Sequence, residues 1–395
     1  MKKDSEKNSE KSSKSGRKKS SVGKKILKIV GIILLIPILI VGGFFAWLTI
    51  KEYRPADVET VEVDTTEGKG EKLVSGTEFT VMSWNIGYAG LGDNMDFFMD
   101  GGSGETVTSI ERQDVNIAGL TGMLAANNPD VLFIQEIDRN SDRTYNVDEL
   151  FKVKGDLTTY ENNMDPENVP YASTFAYNYN AEFVPYPVND MIGHVESGVS
   201  VLSKYEIASA ERVSLPCPFK WPVKTVNLKR CLLVNHVPVV DADGNDTGKE
   251  LVLINLHLEA YDDGEGKIAQ TKALKKLMDE ELNKGNYVIV GGDFNQTFSN
   301  VDSSRYPVKD GMWKPGSLDT EDFGSHWQCL MDNTTPTCRS LDQPYQGADQ
   351  DNFQYYMIDG FIVSDNVKVE SVETLDYYFA GSDHNPVLLK VSLGE

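Results

Sequence analysis

The stretch YVIVGGDFN, residues 287–295, sets four apolar side chains against a pair of glycines and then delivers a carboxylate and an amide, Asp293 and Asn295. An apolar run this short, β-branched and closed by glycine reads as a buried strand; a helix needs ten or more residues. The same grammar recurs along the chain. Residues 79–84 (FTVMSW) lead to Asn85, residues 131–135 (VLFIQ) to Glu136, and residues 251–256 (LVLINL) to His257. Strand-like residues 358–363 carry Asp359, and residues 387–391 follow Asp383 and His384. Residues 199–202 read as a further strand, while 108–127 and 267–283 carry helical spacing, the second with Ile268, Leu274 and Leu277 on one side. This alternation predicts one α/β domain over residues 78–395. Several strand pairs are separated by too little chain for a helical crossover, so the sheets should mix directions.

Polar groups at strand ends converge when those ends share one edge of a sheet. Carboxylates gathered there repel one another unless a cation lies between them. Oxygen and amide donors without a cysteine motif suit Mg²⁺, with Mn²⁺ as the alternative, better than zinc. A hard cation with histidines and carboxylates is the equipment for hydrolysing a phosphate ester.

Seven segments carry a resemblance: MSWNI (82–86), LFIQE (132–136), SGVSVLS (197–203), INLHLEA (254–260), VGGDFN (290–295), MIDGFIVS (357–364) and SDHNPV (382–387). In this order they resemble the endonuclease/exonuclease/phosphatase superfamily, which includes pancreatic-type deoxyribonucleases, abasic-site endonucleases, neutral sphingomyelinases and inositol-polyphosphate phosphatases. The resemblance spans residues 79–393. It implies two packed mixed β-sheets flanked by helices, a four-layer sandwich. It also implies roles: Asn85 and Glu136 as Mg²⁺ ligands, Glu136 the principal one, with Asp383 near the metal. Asp293 would orient or deprotonate the attacking water, and Asn295 and His384 would contact the phosphoryl group. Asp359 would support the other ring nitrogen of His384. His257 resembles the second histidine of the deoxyribonuclease and sphingomyelinase branches, with no supporting carboxylate assigned.

Residues 29–50 (IVGIILLIPILIVGGFFAWLTI) contain no charge and as a helix would cross a hydrocarbon core of about 30 Å. A cleaved signal peptide is the alternative, disfavoured because its apolar region is usually about 7–15 residues. The domain reading is therefore a basic, disordered cytoplasmic tail (1–25), a transmembrane signal-anchor helix (26–50), a flexible tether (51–77) and the catalytic domain (78–395). Residues 1–28 carry a net charge of +8 out of −22 for the chain, which leaves −30 for the remainder. By the positive-inside rule the tail is cytoplasmic and the bulk of this single-pass protein lies outside.

An acidic domain lacks the basic surface that nucleic-acid binding requires, so an extracellular nuclease ranks below an enzyme acting on a lipid headgroup or a small phosphorylated metabolite. A catalytically silent binding ectodomain is the reading from another class, and none of the seven motifs has lost its polar residue. No obligate protein partner is implied. The four cysteines fall into close pairs, 217 with 231 and 329 with 338, which in an oxidising compartment suggests local disulfides; four inert thiols are the alternative. His194, His236 and His326 read as structural or surface residues. The insertions at 87–109 and 305–353 sit where loops carry specificity or pad the surface, and DADGNDTG (241–248) reads as a hairpin turn.

Overall fold

The computed structural model describes residues 19–164, 168–262 and 264–394. In chain order the strands are β1 (Val58–Val61), β2 (Leu73–Val74), β3 (Glu78–Asn85), β4 (Val131–Asp138), β5 (Ala172–Val184), β6 (Gly193–Ser203), β7 (Ser209–Ser214), β8 (Cys231–Val240) and β9 (Asp246–His257). They continue as β10 (Tyr287–Asp293), β11 (Gln296–Phe298), β12 (Gly316–Leu318), β13 (Trp327–Leu330), β14 (Cys338–Arg339), β15 (Tyr355–Tyr356), β16 (Asp359–Ser364), β17 (Val367–Thr374) and β18 (Val387–Leu393). The helices are α1 (Lys19–Lys51), α2 (Ile110–Asn127), α3 (Glu149–Met164) and α4 (Glu265–Asn283).

Two mixed sheets face each other. One has six strands in the order β17-β18-β3-β4-β6-β5, the other eight in the order β1-β7-β8-β9-β10-β16-β13 with β2 added on β8. Their facing surfaces bury Phe79, Val81, Phe133, Val199 and Val201 against Leu233, Leu251, Leu253, Ile289 and Phe361. The outer face of the six-stranded sheet packs Trp84, Leu132 and Ile134 against Leu120 and Leu124 of α2 and Val153 and Leu157 of α3. On the far side Val252, Ile254, Val288 and Val290 bury Leu274 and Met278 of α4. Because both faces of each central strand are covered, these strands read as unbroken apolar runs. The expected four-layer α/β sandwich is what forms.

Local chemistry places the ends of α2. The Ser109 hydroxyl accepts the Arg112 backbone N–H at 3.1 Å, and Asn128 closes the helix in the left-handed region, a conformation Asn tolerates better than most residues. Asp241 takes the N–H groups of Asp243 and Asn245 on its Oδ1, forming the turn between β8 and β9 expected of DADGNDTG.

Three expectations need correction. Residues 51–77 are not a free tether: β1 pairs antiparallel with β7, β2 pairs with β8, and Asp64 exchanges backbone hydrogen bonds with Ser173. Polarity and glycine content hid an edge strand, since such a strand buries few side chains; Leu73 is the fully buried one here. The basic tail was expected as coil through residue 25, but α1 already begins at Lys19; residues 1–18 lie outside the described residues. All four cysteines are free thiols. Cys217 is exposed while Cys231 is buried in the inter-sheet core, and Cys329 lies in the layer under α4 while Cys338 joins a small cluster with Tyr356 and Ile358, so the members of each sequence-close pair have different surroundings. Strand β5, with its alternating tyrosines, and helix α3 were not singled out in the sequence, because polar residues interrupt their patterns.

Helix α1 includes Pro37, and an 18-residue window within its stretch Gly23–Lys51 has mean hydropathy 2.9, so the stretch is long and apolar enough to cross a membrane.

Two outcomes test the packing of the 51–77 segment. Leu73→Ala should cost about 2–5 kcal/mol in urea unfolding of the domain, the range for a fully buried leucine. The Asp64 carboxylate bonds Lys154 Nζ at 2.6 Å; burial works against its ionisation, yet that lysine and Thr66 hold its pKa down at about 2. A depressed acid adds stability that is complete above the unfolded value near 4 and is lost as pH falls toward 2. Wild type and Asp64→Asn should therefore converge in stability over that window.

Candidate active site

The polar strand ends meet at one edge of the sandwich. Across the eight-stranded sheet, His257 is in register with Asp293 through the parallel β9/β10 pair, and Asp293 with Asp359 through the antiparallel β10/β16 pair. Gly292 makes that row possible: its φ is 144° and a Cβ there would lie 2.0 Å from the Leu256 carbonyl oxygen. The six-stranded sheet supplies Asn85 at the end of β3 and Glu136 from β4, and the turn before β18 supplies Asp383 and His384.

Glu136 reaches the site by a β-bulge. Gln135 pairs with Val199 and Ile137 with Gly198, which leaves Glu136 as the extra residue at φ 52°. A non-glycine residue held there stores strain of order 1–3 kcal/mol, characteristic of functional positions. Gly198 lets the neighbouring strand pass: a Cβ on it would come within 2.1 Å of the Ala176 oxygen.

Asn85 is the hub. Its Nδ2 donates to Glu136 Oε1 and to Asp293 Oδ2, each at 3.1 Å, and lies 3.5 Å from His384 Nε2. Its Oδ1 accepts the Gly87 N–H at 3.0 Å. In this orientation Asn85 faces the carboxylates as a hydrogen-bond donor; ligating a cation through Oδ1 requires its amide to turn over. His384 Nδ1 is 2.8 Å from Asp359 Oδ2, the pairing expected from the sequence. His384 Nε2 stands 3.8 Å from both Asp293 Oδ2 and Asp383 Oδ2. His257 Nε2 is 3.4 Å from Asp293 Oδ2 and 3.8 Å from Glu136 Oε1, while its buried Nδ1 has no hydrogen-bond partner among the described residues. Asn295 holds the site's floor: its N–H bonds Asp293 Oδ1 and its side-chain Nδ2 bonds the Leu258 oxygen, leaving one amide hydrogen uncommitted to that bond.

The charges respond to burial and to one another. Burial first, and then the charge of Asp383, raises the pKa of Glu136; burial and Asp359 push Asp293 up to about 7; burial raises Asp383 as well. These carboxylates resist ionising together without a counter-charge, which is the condition a divalent cation relieves, and their oxygen donors fit a hard one. The two histidines part company. Burial disfavours charge on His384, but Asp359, Cys338 and Asp383 outweigh it and hold its pKa well above the ordinary value. Burial, Arg230 and His384 hold His257 well below it, so His257 is neutral. Two sets of donor atoms lie within 4.8 Å of one another: Asp293, Asp359 and His384, and Cys338, Asp383 and His384.

Several supporting residues were given no role by the sequence reading, although Trp84 and Ser382 lie inside its motifs. Ser382 Oγ donates to the Asn85 oxygen at 2.7 Å and accepts the His384 N–H at 3.1 Å, and Trp84 Nε1 donates to the His384 oxygen, tying the SDH turn to β3. The Thr337 hydroxyl takes the N–H groups of Ile358 and Asp359. Behind Glu136, Arg143 bonds Asp138 through two nitrogens at 3.0 Å and Glu105 at 3.2 Å, and its guanidinium lies 3.7 Å from the Tyr88 ring centre. Arg339 joins the two insertions by donating to the oxygens of Leu91, Gly92 and Met95. The SDH and MSWNI motifs contained Ser382 and Trp84; the arginines lie in segments with no pattern. The remaining histidines pair elsewhere, His194 with Glu196, His236 with Glu250 and His326 with Asp365.

Comparison with known proteins gives a consistent result. The model of the Endonuclease/Exonuclease/phosphatase family matches residues 82–384. Among solved structures, an endonuclease/exonuclease/phosphatase from Beutenbergia cavernae superposes with TM-score 0.52 at 16% identity, covering 80% of this chain and 72% of that one. A family protein from Leptotrichia buccalis gives 0.48 at 15% identity over 80% of this chain and 100% of that one. Truncated TDP2 from Caenorhabditis elegans gives 0.44 at 15% identity over 81% and 99%. At these identities the likeness is one of fold, and it rests on the first. No curated protein matches by sequence.

The Arg143 network yields a stability test. Arg143→Ala leaves Asp138 and Glu105 buried without their cation, and should destabilise the domain by about 3–5 kcal/mol in urea unfolding; a loss below about 1 kcal/mol would show that the network is not stabilising.

Proposed function

This chain belongs to the endonuclease/exonuclease/phosphatase family, and on that premise we propose that it is a membrane-anchored, Mg²⁺-dependent hydrolase of phosphate esters that works outside the cytoplasm. Members of this family are generally metal-dependent hydrolases of phosphoesters. The observation that carries the reading is the meeting of the Asp359-supported His384, neutral His257, Asp293, Asn85 and Glu136 around one point. Glu136 and Asp383 would hold the cation, with Asn85 joining them once its amide turns; Mn²⁺ is the alternative ion. When bound, that ion neutralises charge on the phosphoryl oxygens.

The protein's own groups supply the rest. Asp293, with its pKa near 7, is matched to taking the proton of an attacking water at neutral pH. Cationic His384 donates from Nε2 toward a phosphoryl oxygen, and Asp359 fixes the ring and its tautomer. The amide hydrogen of Asn295 left free by Leu258 contacts the same group. Neutral His257 offers a second proton-transfer site opposite His384. Groups whose environments push their pKa values apart are suited to divide acid and base duties.

Helix α1 supports anchorage, and its basic flank supports a cytoplasmic N-terminus. The net charge of −30 beyond residue 28 favours a lipid headgroup or a small phosphorylated metabolite over nucleic acid.

The test is release of nitrophenol from a bis-phosphodiester and a phosphomonoester, each with Mg²⁺ and with chelator, beside duplex DNA. Metal-dependent turnover of at least one small ester is expected, and turnover of neither would sink the reading. Asp359→Ala should lower kcat about 10²-fold, the scale of one acid–base contribution, with the half-saturating Mg²⁺ concentration unchanged. Glu136→Gln should instead abolish the response to Mg²⁺.

A further inference from the structure

Beside His384 lies a thiol that the proposed chemistry does not use. Cys338 forms an isolated antiparallel bridge with His384, and the N–H of its neighbour Arg339 donates to the Asp383 oxygen at 3.0 Å. This pairing brings one donor atom each from Cys338, Asp383 and His384 within 4.8 Å of one another. His384 Nδ1 is committed to Asp359, so the ring offers Nε2, 3.8 Å from Asp383 Oδ2. Tetrahedral zinc bonds of roughly 2.0–2.3 Å put ligand atoms about 3.3–3.8 Å apart, a spacing the Nε2–Oδ2 pair already meets and the thiol, within 4.8 Å, reaches by a small approach. The three residues keep 5–6% of their surface exposed.

The donor set shares Asp383 and His384 with the oxygen-lined centre but adds a sulfur to them. Sulfur with imidazole and one carboxylate selects a borderline or soft divalent ion such as Zn²⁺ or Cd²⁺, whereas Mg²⁺ takes oxygen ligands. We propose that Cys338, Asp383 and His384 form an inhibitory site for a thiophilic divalent cation, whose occupancy removes His384 Nε2 from the phosphoryl group. Binding forms a metal–sulfur and a metal–nitrogen bond as the thiol proton of Cys338 and the Nε2 proton of cationic His384 leave to solvent, two protons per ion, and a water completes the tetrahedron. The inhibitory consequence rests on the role given to His384 above; the binding does not.

The experiment is a Cd²⁺ titration of the full-length, detergent-solubilised protein in excess Mg²⁺, following the ultraviolet thiolate-to-cadmium charge-transfer band. Wild type and Cys217→Ser should show the band at one ion per chain, and Cys338→Ser and Cys338→Ala should lose it while keeping wild-type circular dichroism. In turnover assays, Zn²⁺ should inhibit wild type, and the Cys338 variants should need at least about tenfold more Zn²⁺, in line with the loss of a ligand. A band that persists without Cys338, or disappears in Cys217→Ser, overturns the site. A band confined to Cys338 with Zn²⁺ inhibition unchanged in the Cys338 variants overturns the inhibitory role. If wild type has no turnover at all, the band still decides the site, and the failure belongs to the hydrolase reading.

Discussion

The arrangement depends on one buried amide that pins the two sheets together. Asn255 of β9 lies on the face where the sheets meet, donates to the oxygens of Ile134 and Ser200 at 3.0 and 2.8 Å, and accepts Gln135 Nε2 at 2.7 Å. The aliphatic layer around it supplies attraction without direction, because burial of Val, Leu and Phe is nearly indifferent to small slides. A buried amide is not indifferent, since each lost bond leaves a polar group without water. Asn255 is two residues from His257, and Gln135 adjoins Glu136. The bond that sets the sheet stacking therefore also sets the distance between the two halves of the site.

Strained backbone also lies on this edge. Glu136 and Asn295 hold positive φ angles, and Gly292 permits a strand approach that no side chain would survive. Each sits next to a residue that the core holds firmly, so the surrounding packing over-determines these conformations. The outcome is a set of carboxylates aimed at one point, which an unstrained strand would have turned alternately to opposite faces.

The two insertions form a buried wall beside this edge. Tyr88, Leu91, Met95 and Val107 from the first pack against Leu341 from the second, and Arg339 satisfies three carbonyls of the first. A loop with its own apolar core and a buried arginine is held in place, so it can shape what approaches the phosphate-facing groups.

Much of this was legible in the sequence. Short apolar runs buried on both faces announce themselves without reference to anything distant, and each interior strand but β7 and β8 was read from its own residues. The polar residue at each strand end was equally visible, and the family motifs named all eight site residues that the structure brings together. What the sequence could not show was set by contacts between remote segments. The β1 edge strand owes its existence to β7 more than 140 residues away, and the separation of the cysteine pairs comes from the different layers they face. The roles of Asn255, Ser382, Arg143 and Arg339 exist only once distant backbones lie beside them. Local hydrophobic pattern decides which segments become strands and helices, because it acts within a few residues. The direction of the Asn85 amide, the opposed protonation of His257 and His384, and the thiol set against His384 depend on burial and through-space charge, which only the tertiary structure supplies.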